Sequence, residues 1–107
     1  MEFFTPPQHI GFKATKLYEQ SGNIKDISLA YVDKDGGGPV RAHTHAHDHL
    51  FTVIEGEEKI VLKDESVIVK KGESLLVKGD IPHSVWNNKD SVCIMLGTSL
   101  INDGVEN

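Results

Sequence analysis

Short runs of apolar and β-branched residues, each closed by turn formers, set the rhythm of this chain. Phe12 to Glu19 is one run, closed by Ser21-Gly22-Asn23. Asp26 to Val32 is a second, and it ends in Asp33-Lys34-Asp35-Gly36-Gly37-Gly38-Pro39, a strong loop signal. Leu50 to Ile54 reads as a strand, with a tight turn at Glu55-Gly56-Glu57. Lys59 to Lys63 and Ser66 to Lys70 flank Asp64-Glu65 and predict a hairpin. Lys71-Gly72-Glu73 is a further turn, and Leu75 to Val77, Ser84 to Trp86 and Val92 to Gly97 complete the set. No stretch sustains a 3.6-residue period, so helices are not expected. Many short strands with closely spaced turns predict an all-β sandwich or barrel.

With 107 residues the chain is read as a single domain, 1–107. Residues 1–11 form an N-terminal arm and residues 102–107 a polar, flexible tail. Composition adds exclusions. The net charge is -5 with no basic run, which argues against nucleic acid and anionic membranes as partners. No apolar run approaches the roughly 18 residues of a membrane span. The start, Met1-Glu2-Phe3-Phe4-Thr5-Pro6-Pro7, does not resemble a signal peptide. Cys93 is the only cysteine and lies in an apolar run, so it reads as a buried thiol in a cytoplasmic protein.

The candidate chemistry is in the histidines. Four of the six fall within His43-Thr44-His45-Ala46-His47-Asp48-His49. Neutral imidazole is the commonest metal ligand, so such clustering signals a metal site. In an extended strand, residues two apart share a face, which lets His43 and His45 converge on one ion. His49, six residues from His43, would lie roughly 20 Å away in a straight strand. The chain is therefore expected to turn at Ala46-His47-Asp48. His49 then opens an antiparallel strand that returns over the site, and His47 sits on the turn, near the site's mouth. His83, after Pro82, is by itself either a ligand or a structural histidine.

Spacing resolves more. Gly37, five residues, His43-Thr44-His45, three residues, His49, six residues and Gly56 reproduce the first motif of the cupin superfamily, with His49 where Glu is usual. Gly72, His83 and Asn87 match the second motif. There Lys78 replaces a usual Pro, Asp80 a usual Gly, and Gly79 stands one place early. The chain thus resembles a small single-domain cupin over about residues 25–97. That resemblance implies a double-stranded β-helix, or jelly-roll barrel, and commonly a homodimer. Transferred residue by residue, it implies one divalent metal held by His43, His45, His49 and His83.

An all-histidine set leaves the full 2+ charge on the ion and favours Zn, Ni, Fe, Mn or Cu over Mg and Ca. By strand phase, Phe51 and Val53 share the face of His49, and Val85 and Asn87 share that of His83. These four, with His47, are the candidate pocket residues. Trp86 faces the other way, toward an expected dimer interface. Asp48 and Asp80 read as turn formers, so no general base is singled out. Three functions follow: a dioxygenase- or isomerase-type metalloenzyme acting on a small organic molecule, a non-catalytic binding or sensor module, or a barrel with a structural metal.

Overall fold

The computed structural model describes residues 2–101, with the side chain of His43 excepted; the tail expected at 102–107 lies outside the described residues. Eight strands follow one another: β1 (Ile10–Ser21), β2 (Ile24–His43), β3 (Asp48–Glu55), β4 (Glu57–Val61), β5 (Ser66–Lys70), β6 (Ser74–Val77), β7 (His83–Asn87) and β8 (Cys93–Leu100). No helix occurs among the described residues. The strands pair in the order β5-β4-β7-β2-β8-β3-β6, all antiparallel, with β1 against β2. The turn Lys71-Gly72-Glu73 joins the first strand of that order to the last. Its backbone bonds Val53 of β3 in both directions, Gly72 N to Val53 O at 2.8 Å and Val53 N to Glu73 O at 3.0 Å. These links draw the sheet into a nearly closed jelly-roll barrel.

Two segments expected to be a loop and a tight turn are corners within the wall. The 33–39 stretch belongs to β2, which pairs with β8 from Ile24 to Val32 and with β7 from Gly37 onward. Gly37 and Gly38 both have φ of 149°, and a Cβ on Gly37 would collide with the β7 backbone at Val85 and Trp86. Only glycine lets the strand pass this closely as it changes neighbours. Gly56 (φ 90°) likewise ends β3, which pairs with β6 and β8, and starts β4, which pairs with β5 and β7. The pairing register shifts at both bends, between Gly38 and His43 and between Val53 and Glu55, and such glycine-marked irregularities look in sequence like a loop or a turn. The expected hairpin around Asp64-Glu65 is present as the β4–β5 pair.

Alternate residues of each strand point inward and divide the interior into two ends. At one end Val32, Val53, Ile60, Val77 and Cys93 form a fully buried core. Each such aliphatic side chain contributes about 1.5–3 kcal/mol. The other end is not filled. There the inward positions shrink or become polar: Ala14 on β1, Asp26, Ser28 and Ala30 on β2, Gly97 and Ser99 on β8. A cavity of about 360 Å³ results, and the N-terminal arm reaches it through Phe4, Pro6, Pro7 and His9. A bridge between Phe4 and Ala14, with backbone bonds of 2.8 Å in both directions, fixes the arm.

Candidate metal centre

Three histidines meet at this cavity. His45, His49 and His83 each bring a ring nitrogen within 4.8 Å of the other two. Ring centroids are 5.2 Å apart for His45–His49, 5.4 Å for His45–His83 and 5.9 Å for His49–His83. Nitrogens bound about 2 Å from one ion lie within about 4 Å of each other, so small ring rotations close the set.

The sequence expectation of a strand–turn–strand return is corrected in one respect. β2 ends at His43 and β3 begins at Asp48, so the chain does bend between them and His45 sits on the connection. β2 and β3, however, are not hydrogen-bonded neighbours, because β8 runs between them. His49 therefore reaches the site by crossing to another part of the barrel wall. The backbone of His43 pairs opposite that of His83; its side chain lies outside the described residues. The ring of His47 stacks 5.0 Å from His45 and meets His49 edge-on at 4.9 Å, but it neither lines the cavity nor joins the three-histidine group.

Hydrogen bonds orient two of the rings. His83 Nδ1 donates to the Ile81 carbonyl at 2.8 Å, which leaves the lone pair on Nε2. His49 Nε2 lies 2.9 Å from Ser99 Oγ, in a bond either atom can donate. His49 Nδ1 is buried and without a hydrogen-bond partner. A buried polar nitrogen left unpaired is costly unless something binds it. Burial, aided by the neighbouring histidines, lowers the His49 pKa to about 3, and burial with the Lys25 charge lowers that of His47. His49 is thus neutral at ordinary pH, as a ligand must be. The donor set fits a divalent transition ion, which His45, His49 and His83 could hold.

The connection carrying His45 is clamped from β6–β7. His45 N donates to Gly79 O at 2.8 Å, and Gly79 N donates to Asp48 Oδ1 at 2.9 Å. Lys78 Nζ lies 3.2 Å from Asp48 Oδ2. A Cβ on Gly79 would strike the carbonyls of His45 and His47. Gly79, out of place against the expected motif, is the residue that lets the two segments touch. Gly79→Ala is expected to lower metal affinity ten- to hundredfold, in the range found for groups that orient ligands. Competition with a chromogenic chelator measures this, and an unchanged affinity would contradict the clamp.

Among the expected pocket residues, Phe51 and Val85 line the cavity. Val53 lies deeper, in the buried core, one inward step beyond Phe51. Asn87 is also outside the cavity: its amide donates to Val32 O at 2.9 Å and Ser91 O at 2.8 Å, bracing the 87–91 turn. Trp86 is half-buried, donates to Ser84 Oγ at 2.9 Å and lies close to Gly37. Sequence reasoning missed Asp26, Ser28, Met95, Ser99 and His9. The alternation Asp26, Ser28, Ala30 was available as a signal; Ser99 emerges only from the His49–Ser99 register, and nothing local marks His9.

Comparison with known proteins agrees with this architecture. The structure of a predicted oxalate decarboxylase from Thermotoga maritima superposes with a TM-score of 0.80 at 14% identity, over 94% of this chain and 91% of that one. The polyketide cyclase RemF from Streptomyces resistomycificus gives 0.74 at 21% identity, over 90% and 69%. KdgF from Halomonas sp. gives 0.74 at 14%, over 99% and 92%. No curated protein matches the sequence. The family model described as a cupin domain matches residues 30–98, well over half of the chain. The chain belongs to the cupin family.

Proposed function

We propose that this protein is a metal-dependent enzyme of dioxygenase or isomerase type acting on a small organic molecule. The observation that carries the reading is the placement of His49: its Nδ1 is buried and unpaired, and its ring stands beside two other imidazoles at the wall of a cavity sized for a small ligand. His45, His49 and His83 would hold a Zn, Ni, Fe, Mn or Cu ion, with His43 as a fourth ligand. A bound ion would supply Lewis-acid or redox chemistry. The chain's own residues do the rest. Phe12, Phe51, Val85 and Met95 give the cavity apolar walls, and Ser99 and the Ile81 carbonyl hold two ligand rings in orientation. His47, kept neutral, has a nitrogen able to take up a proton next to the ligand rings.

The structural neighbours that are a polyketide cyclase and a predicted oxalate decarboxylase support small-molecule chemistry on this scaffold. The test is oxygen uptake and product analysis with iron- or manganese-loaded protein against diketones, catechols and thiols. Turnover that disappears in His83→Ala is expected. Silence across metals and substrates, with ligand binding retained, would overturn the catalytic reading in favour of a binding module.

A further inference from the structure

The charge around the cavity points to the class of ligand. Among the described residues, no lysine or arginine lines it. The one ionisable side chain there besides histidine is a carboxylate, Asp26. Three cations lie near but outside the lining. Lys16 Nζ lies 3.8 Å from Asp26 Oδ2, Lys78 is held against Asp48, and Lys25 acts on His47 and His49 through its field. The chain as a whole carries -5.

An anion entering such a space loses its hydration, which is costly unless a cation pairs with it. A metal at the three histidines could pair with one carboxylate. A second would face Asp26 and apolar wall. Uncharged apolar surface meets the opposite situation. Phe51 and Met95 offer ring and thioether contacts from the barrel side, while Phe4, Pro6 and Pro7 close the arm side. Ser28 and Asp26 give a polar strip on one wall that suits a hydroxyl or carbonyl edge.

We infer that the cavity takes an uncharged, largely aromatic molecule carrying a hydroxyl or carbonyl group, and discriminates against carboxylate-bearing analogues. This rests on the functional reading above for the cavity's role, but its test does not require the metal.

Calorimetric titration of chelator-stripped and metal-loaded protein with 2-naphthol, 2-naphthoate and oxalate provides that test. The stripped protein is expected to bind 2-naphthol at least tenfold more tightly than 2-naphthoate, and oxalate not at all. Phe4→Ser, on the exposed arm, should weaken 2-naphthol severalfold without changing metal content, which places the ligand under the arm. Asp26→Asn should narrow the naphthol-to-naphthoate ratio. Absence of 2-naphthol binding to stripped protein, equal or tighter binding of 2-naphthoate, or indifference to Phe4→Ser would each overturn the inference. Failure of the metal reading would show separately, as loaded protein that holds no metal while stripped protein still binds 2-naphthol.

Discussion

Replacing His45, His49 or His83 by alanine is expected to lower transition-metal affinity by at least about a hundredfold, more than the ten- to hundredfold typical of groups that merely orient ligands. Each of the three supplies one of the converging nitrogens, so each loss removes a bond to the ion. The loss should also appear in stability. Metal at a hundred times its dissociation constant stabilises the native state by about 2.7 kcal/mol, and a variant that does not bind forfeits that gain. His83 is buried and His49 nearly so, and their truncation also leaves space behind. His45 is half-buried on a connection, so His45→Ala separates ligand loss from packing most cleanly. Unfolding curves recorded with excess chelator should place His45→Ala close to the parent, and curves with metal should place it well below. His9→Ala is the matched control, since His9 lines the same cavity outside the three-histidine group. Metal affinity unchanged in His45→Ala would contradict its role.

Much of this site was legible in the chain, for reasons that differ by residue. His45 and His49 announced themselves by clustering and His83 by spacing from Gly72. Strand phase turns Phe51 and Val85 inward, where both line the cavity, because period-two alternation is a local property. It turns Val53 inward too, into the buried core, because alternation says which face a residue takes and not how far along the barrel the cavity extends. The corners at Gly37-Gly38 and Gly56 read as loop and turn, since glycine marks a special backbone without saying which way the chain leaves it. The arm's contribution was invisible for another reason. Phe4 and His9 are brought to the cavity by long-range contacts, among them the Phe4–Ala14 bridge and the bond from Val40 N to Gln8 O at 2.7 Å.

The second large effect concerns a residue far from the histidines. Glu58 lies on β4 with its side chain wholly buried, and neither carboxylate oxygen has a hydrogen-bond partner of good geometry. The thiol of Cys93 is its polar neighbour. Burial pushes the Glu58 pKa up to about 7, against 4.5 for the free group, and pushes the Cys93 thiol up as well. Between pH 4.5 and 7 the folded state therefore binds more protons at Glu58 than the unfolded chain does. Stability falls as pH rises through that window and levels off above it. The deprotonated carboxylate then costs about 3 kcal/mol relative to the protonated one. Glu58→Gln keeps the shape and removes the titration. Parent and variant compared by urea unfolding should diverge from pH 5 to about pH 7 and level off above it, by about 2–3 kcal/mol in favour of Gln. Histidine titrations are common to both proteins and cancel in the difference. Parallel pH profiles would show that Glu58 is not held in its neutral form.

The central claim is that His45, His49 and His83 together hold one divalent transition ion at the cavity wall. X-ray absorption on protein loaded with zinc or iron and freed of excess metal tests it most directly. The account predicts about one ion per chain, with a first shell dominated by imidazole nitrogens, at about 2.0–2.1 Å for zinc, and loss of that shell in His45→Ala. Protein that retains no metal after loading, or metal in a shell of oxygens alone, would contradict it.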